Sequence, residues 1–244
     1  MSVTQQRKGR ERAAREELIL EHGRRLLLRE GFQNLNLDEL ARSIEYSKGT
    51  IYLHFETKED LALAIATGAL KERADLFERA SKFTGLTRER MRAVGFACCQ
   101  FAIVHRDYFN IEMMLRSQSF WEKSSEERRR QHGLQAGRLF HIVSSIATEA
   151  IRAGDLAPEV RTQDVALSLI AITMGSHIAS MQPDIQMLCG LTDPFAAVAA
   201  VRRNQDLICD GWGWKPLLKE FDYTATDKRI KTEIFPEATW YTAS

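Results

Sequence analysis

The chain has 244 residues, 44% of them hydrophobic and 27% charged, which is ordinary for a globular protein of one large or two small domains. Its formal net charge is only +1, so any surface for nucleic acid must come from the local placement of charge. The polar N-terminus lacks the apolar segment of a signal peptide, and no run of about 18 apolar residues predicts a membrane span. We therefore expect a cytoplasmic protein with no membrane partner.

The four cysteines indicate neither a disulfide framework nor a metal site. None of them forms a C-x-x-C pair, and the adjacent Cys98 and Cys99 make a poor pair of metal ligands. With Cys189 and Cys209, we interpret them as small buried apolar residues in a reducing cytoplasm.

Residues 1–15 carry five basic side chains and one acidic side chain, Glu11. The basic residues are Arg7, Lys8, Arg10, Arg12 and Arg15. This composition predicts a flexible basic arm, which is either a solubilising tail or a segment that contacts DNA. Helical spacing begins near Arg12 and continues in one apolar face formed by Ile19, Gly23, Leu26 and Leu27. Gly31 is expected to end that helix in the left-handed conformation.

Two short helices are predicted next, each behind a good N-cap residue. Asn36 precedes the first, which has acidic residues in its first turn. Ser47 precedes the second, which extends to about His54 and directs Ile51 and Phe55 inward. Only residues 44–46 separate the two helices. A support helix, two short helices and a three-residue turn form a helix-turn-helix pattern.

Longer helices are predicted for the rest of the chain, over residues 58–80, 87–106, 107–117, 122–153, 162–181 and 194–210. A loop of about ten residues is expected between Pro183 and Pro194, and a strand near 230–240. The predicted fold is all-α, with nine or ten helices. It comprises an N-terminal three-helix helix-turn-helix head and a C-terminal helical domain for dimerisation and ligand binding.

Residues 31–61, GFQNLNLDELARSIEYSKGTIYLHFETKEDL, resemble the DNA-binding head of the tetracycline-repressor (TetR) family. The similarity covers about residues 15–65. It rests on Gly31-Phe32, Leu40-Ala41, the hexapeptide from Ser47 to Tyr52, Phe55, Lys58-Glu59 and Leu61, all at fixed offsets. One departure is Glu45, where the family usually has glycine in the turn. If that position needs a positive φ, Glu45 costs about 1 kcal/mol.

The resemblance implies which residues meet DNA, since the second helix of such a motif enters the major groove. By this resemblance, Lys48, Gly49 and Tyr52 would address bases. The full predicted DNA-binding set is Asn36, Ser47, Lys48, Gly49, Thr50, Tyr52, His54 and Lys58, of which Asn36, Thr50, His54 and Lys58 would address the phosphate backbone. Residues 1–56 would form the DNA-binding domain, and residues 57–244 the domain for effector binding and dimerisation.

The resemblance also implies partners. A homodimer would place two recognition helices in successive major grooves of a pseudo-palindromic operator in double-stranded DNA. The helices over 162–181 and 194–208 would pair the subunits, although a core within one subunit explains their apolar character too. An effector bound to the body would release the protein from its operator, so the expected function is repression of transcription, on DNA in the nucleoid.

Five residues of the body are candidates for a mostly apolar effector pocket, because they combine aromatic, flexible and single polar groups. They are Phe109, Met113, Phe140, Met174 and His177. Packing into a solid core explains them equally well. Their lack of charge favours an uncharged organic effector, and neither a metal nor a cofactor is predicted.

No catalytic constellation is evident, so we predict that the chain is not an enzyme. The six histidines form no H-E-x-x-H pair or ligand cluster, and no P-loop or G-x-G-x-x-G is present. His141 and His177 are interpreted as core histidines, and the run 126–130 as a solvated helix face. Two alternatives remain: a helical enzyme with convergent titratable groups in its pocket, and a regulator held by a protein partner.

Overall fold

The computed structural model describes residues 3–115, 118–191 and 194–241, apart from the side chains of residues 3, 109, 113, 114, 118, 119, 194 and 195. Every regular element in these ranges is a helix, which confirms the all-α prediction. The elements are α1 (Val3–Asn34), α2 (Leu37–Ser43), α3 (Lys48–Tyr52), α4 (Lys58–Ser81), α5 (Thr87–Val104), α6 (Arg106–Met114), α7 (Gln118–Lys123), α8 (Glu126–Ala153), α9 (Thr162–Ser180), α10 (Pro183–Leu188), α11 (Pro194–Gly211) and α12 (Tyr223–Glu233). Among the residues described, no helix has both the length and the apolar character needed to cross a membrane.

The N-terminal arm is the beginning of α1, so the prediction of a flexible arm is wrong. Its residues have high helix propensity, and Arg7 and Glu11 form an i,i+4 ion pair at 3.4 Å. Residues 4–15 are all exposed. Gly31 interrupts α1 with φ 75° and ψ 165°, a conformation open to glycine, but its ψ differs from that of the left-handed helical cap expected there.

The tail of the chain also differs from its prediction, because the segment near 230–240, where a strand was expected, contains the end of α12 and then turns. The Asp222 side chain accepts hydrogen bonds from the amides of Thr224, at 2.9 Å, and Ala225, at 3.3 Å, and so caps the helix. Tyr223, Thr226, Asp227 and Ile230 are buried at helical spacing. Two other helices differ from their predictions. The short helix α10, which begins at Pro183, lies where a loop was expected. A break at residues 124–125 separates α7 from α8, where one helix over 122–153 was expected.

The chain divides into two compact units, Met1–Lys71 with His105–Ala136, and Glu72–Val104 with Gly137–Ser244. The core of the first unit combines the head with apolar residues of α6 and α7, which include Ile111 and Phe120. Gly23 packs closely against α4, because a Cβ atom at this position would lie 3.0 Å from the Leu61 side chain, which would have to shift by a few tenths of an ångström. The boundary between a DNA-binding domain, residues 1–56, and a domain for effector binding and dimerisation, residues 57–244, remains a prediction.

The second unit has its own core, to which the C-terminal segment contributes. Trp214, Ile230 and Phe235 are completely buried in one apolar cluster with residues of α5, α8 and α9. Arg88, only 2% exposed, forms an ion pair with Asp210 at 2.6 Å. It also donates to the carbonyl of Trp214 at 2.6 Å. Because a buried guanidinium requires such partners, these bonds fix the start of the C-terminal segment to α5 and α11.

Candidate nucleic-acid interface

The two short helices of the head begin where their N-caps were predicted. The Asn36 side-chain oxygen accepts a hydrogen bond from the amide of Asp38 at 2.8 Å. The Ser47 hydroxyl oxygen accepts one from the amide of Thr50 at 3.1 Å. Each cap satisfies an amide that has no partner within its own helix, and so defines the first residue of α2 and of α3.

The turn between α2 and α3 requires a left-handed residue, and Glu45 takes that conformation with φ 57°. The amide of Tyr46 donates to the Ala41 carbonyl at 2.9 Å, and the amide of Glu45 to the Arg42 carbonyl at 3.3 Å. These two bonds are those of a Schellman motif, in which glycine is the usual residue at the position of Glu45. The condition stated from the sequence, a positive φ at this position, is therefore met, and for a residue other than glycine it costs about 1 kcal/mol.

The recognition helix α3 is buried on one side and exposed on the other. Ile51 is fully buried and Phe55 is 1% exposed, so these two side chains fix the helix against the head. Lys48 and Gly49 are exposed on the other side, as are Tyr52, at 48%, and the following Leu53, at 79%. A short helix held in this way presents its outer face to a partner without changing its own packing.

The outer face of α3 carries only weak internal contacts. Lys48 forms an exposed ion pair with Asp38 at 2.5 Å, and the hydroxyls of Ser47 and Thr50 are 2.8 Å apart. Exposed ion pairs contribute little to stability, so Lys48 can exchange this partner for another at low cost. At Gly49 a Cβ atom would meet nothing closer than 3.8 Å. The protein's own packing therefore does not require glycine there.

His54 and Lys58, both predicted to contact phosphates, are engaged inside the first unit. The His54 side chain is 3% exposed, and its Nδ1 lies 3.4 Å from a carboxylate oxygen of Glu16. Lys58 Nζ donates to the carbonyls of Phe32, at 3.1 Å, and Gln33, at 2.9 Å. Either side chain would have to leave these partners to reach DNA, and their roles at phosphates remain predictions.

Arg128 of α8 is a residue that sequence reasoning missed, because it belongs to the run interpreted as a solvated helix face. Its side chain is 17% exposed, and it donates to Glu16 at 2.9 Å and to the His54 carbonyl at 3.2 Å. The guanidinium carbon lies 4.7 Å from the centre of the Phe55 ring. Arg130, two residues later, is exposed and pairs with Glu127 on its own helix. The interpretation therefore holds for Arg130 and is wrong for Arg128.

The charge of Arg128 is balanced by Glu16 on α1. Partial burial acts to raise the pKa of Glu16, but the hydrogen bond and charge of Arg128, helped by His54, outweigh it and lower that pKa below its usual value of 4.5. Glu16 is therefore ionised at neutral pH. The ion pair and the contact with Phe55 fix the end of the recognition helix, a consequence of tertiary packing that no spacing in the sequence reveals.

The five residues predicted to line an effector pocket fall in both compact units. The side chains of Phe109 and Met113, on α6, lie outside the described part of the molecule. In the second unit, Phe140 is 39% exposed, Met174 is half-buried and His177 is buried. Their convergence in one pocket remains a prediction. His141 is exposed, contrary to its interpretation as a core histidine, because α8 buries a different face, formed by Val143, Ile146, Ala147 and Ala150.

Comparisons with known proteins agree with this architecture. Residues 19–65 match the family model described as bacterial regulatory proteins, tetR family. A comparison with curated protein sequences gives no match. The TetR-family regulator PfmR of Thermus thermophilus superposes with a TM-score of 0.57 at 20% identity, over 78% of this chain and 96% of PfmR.

Two similar structures contain ligands. FadR of Bacillus subtilis, in complex with stearoyl-CoA, gives a TM-score of 0.62 at 15% identity, over 80% of this chain and 98% of FadR. A putative regulator from Saccharomonospora viridis, in complex with choline, gives 0.61 at 19% identity, over 81% of this chain and 96% of that protein. The chain therefore has the fold of TetR-family transcriptional regulators.

Proposed function

We propose that this chain is a DNA-binding repressor and not an enzyme. Its residues 19–65 match the helix-turn-helix domain of the tetR family of bacterial regulatory proteins. A small organic effector would release it from its operator. The observation that carries the proposal is the recognition helix, held by Ile51 and Phe55 and exposed along Lys48, Gly49 and Tyr52. A helix of this kind fits the major groove, where its first residues reach base edges.

The proposal assigns base contacts to Lys48 and Tyr52, with Gly49 allowing close approach of the backbone. Lys48→Ala should weaken binding to a selected operator duplex by about 1–3 kcal/mol and alter sequence preference, because it removes a group that reads a base. The matched control is Lys82→Ala, which removes an exposed lysine from the second unit. Fluorescence anisotropy on operator and on random duplexes makes the comparison. Equal effects of the two substitutions on both duplexes would contradict the assignment.

We propose a homodimer, which the exposed apolar side chains of α9 and α11 support. On α9, Leu167 is 64% exposed, Ile170 41% and Ile178 38%, and Leu207 on α11 is 57% exposed. The three residues of α9 recur at helical spacing, so they form one apolar stripe of the kind that marks protein interfaces. Val198, also in the predicted interface region, is instead buried in its own subunit beside Cys99 and Val201.

The dimer is tested by placing a charge on this stripe. Leu167→Glu should give a monomer, because a carboxylate buried in an interface without a partner is strongly unfavourable. Val104→Glu, at a residue 58% exposed on α5, serves as the control and should leave the assembly unchanged. Sedimentation at micromolar concentration decides between the two states. A soluble wild-type monomer would contradict the proposal.

Release by a small organic effector is the part of the proposal that no contact within this chain supports. It is supported by the organic ligands in two proteins of the same fold, stearoyl-CoA in one and choline in the other, but both ligands are charged and so do not support the expectation of an uncharged effector. An effector that lowers operator affinity a hundredfold must prefer the DNA-free state by about 2.7 kcal/mol. Thermal shifts across a panel of organic compounds, followed by operator binding, test the idea. A panel with neither shifts nor release would favour a regulator controlled by a protein partner.

A further inference from the structure

The first unit contains a cleft of about 350 Å³ between the N-terminal part of α1 and the end of the recognition helix. Its lining residues are Lys8, Glu11, Arg12, Arg15, Leu53 and His54. The cleft exists because residues 4–15 are helical, and this helix holds its basic side chains beside the exposed end of α3. A flexible arm would hold them at no defined position.

The charge of this cleft is positive. Lys8, Arg12 and Arg15 follow one another at i, i+4 and i+7, so they share one face of α1. All three are exposed, and within the described parts of the chain none of them makes a hydrogen bond or an ion pair. The one acidic residue in the lining, Glu11, is paired with Arg7 at 3.4 Å.

Behind the cleft, a second acidic side chain is also neutralised. Glu16 lies one residue beyond Arg15, and it is bonded to Arg128 at 2.9 Å and approached by His54. The carboxylates of Glu11 and Glu16 are thus already paired with other cations. The three basic side chains of the lining are left to bind an anion from outside the protein.

We propose that the cleft binds a backbone phosphate of operator DNA, just outside the base pairs that α3 contacts. The inference rests on the proposed function and extends it, since Leu53 in the cleft wall directly follows α3 and is 79% exposed. A strand leaving the groove at that end of the helix passes the basic face of α1. Two arginines and a lysine within roughly 10 Å of helix length match the charge and hydrogen-bonding pattern of a phosphate group.

The test compares two arginines of the same arm. Arg12→Ala removes a cation of the cleft, whereas Arg10→Ala removes one that points to the opposite side of the helix, two residues and about 200° away. Both variants change the net charge equally. Removal of one phosphate-binding cation should lower the slope of log affinity against log salt by about 0.9, and weaken binding about fivefold per subunit near 0.15 M salt. Arg10→Ala should retain the wild-type slope and affinity.

A second measurement locates the bound phosphate. On a selected operator duplex trimmed at its outer ends, the ratio of wild-type to Arg12→Ala affinity should fall towards one, because the flanking phosphates are missing. Equal losses of affinity in Arg10→Ala and Arg12→Ala, or no loss in Arg12→Ala while wild type binds the operator, would overturn the inference alone. A wild-type protein that prefers no selected duplex over random DNA would overturn the proposed function as well. Circular dichroism verifies that both variants keep the wild-type helicity.

Discussion

Arg128 provides a test of how the recognition helix is held in place. Replacing it with alanine removes the bond to Glu16, at 2.9 Å, the bond to the His54 carbonyl, at 3.2 Å, and the contact with the Phe55 ring. Because Phe55 is buried three residues after the last residue of the recognition helix, the substitution acts on the end of that helix.

The size of the effect follows from the environment of these contacts. A hydrogen bond between charged groups contributes about 1.5–3 kcal/mol, and a cation above an aromatic ring about 0.5–1 kcal/mol when exposed. Glu16 is 27% exposed, so solvent screening places the ion pair at the lower end of its range. We expect Arg128→Ala to lower the free energy of unfolding of the first unit by about 2 kcal/mol. In a chain of this length that lowers Tm by about 5 °C.

Thermal unfolding of three variants separates the contributions. Arg128→Met keeps an apolar stem near Phe55 without the charge, so it should fall between wild type and Arg128→Ala. Arg130→Ala is the control, since Arg130 is exposed and pairs with Glu127 on its own helix. The Tm of this variant should equal that of wild type. Operator affinity should decrease in the same order as Tm. Equal Tm values for Arg128→Ala and Arg130→Ala would refute the reasoning.

Three further predictions follow from the geometry. Glu45→Gly should raise stability by about 1 kcal/mol, seen as a higher Tm, because glycine takes φ 57° without strain; a lower Tm would contradict this. Burial raises the pKa of Cys99 and of Cys209 to about 12, so both thiols should resist alkylation in the folded protein while exposed Cys189 reacts; mass spectrometry of labelled peptides distinguishes them. The pKa of Glu16 is lowered in the folded state, so its contribution to stability is present above the usual value of 4.5 and is lost as the pH falls through the folded-state pKa. A Tm profile between about pH 3 and 6 should therefore fall more steeply for wild type than for Glu16→Gln.

The parts of the head that the sequence predicts correctly are those governed by local chemistry. Asn36 and Ser47 cap their helices by bonds to residues two and three positions away, so their role is visible in a short stretch of sequence. The positive φ of Glu45 could be anticipated because the turn has a family pattern with glycine at that position. Buried Ile51 and Phe55 follow from helical spacing alone.

The features that the sequence did not predict depend on distant partners. Arg128 looks like its exposed neighbours, and its partner Glu16 lies 112 positions earlier in the chain. The pattern near 230–240 favours a strand, but its first residues belong to the capped helix α12, which buries Tyr223 and Ile230, and turns follow from residue 234. The arm was correctly identified as basic, yet its helical continuation of α1, and hence the cleft beside Leu53, required the structure.

The central claim is that the exposed face of α3 binds specific DNA, and selection of bound duplexes from a random library tests it most directly. The full-length protein should enrich a pseudo-palindromic sequence whose half-sites lie about 34–36 Å apart, and bind it with two chains per duplex. Its affinity for that sequence should exceed its affinity for random DNA at least 10³-fold near physiological salt. Enrichment of no sequence, or equal affinity for selected and random duplexes, would contradict the account.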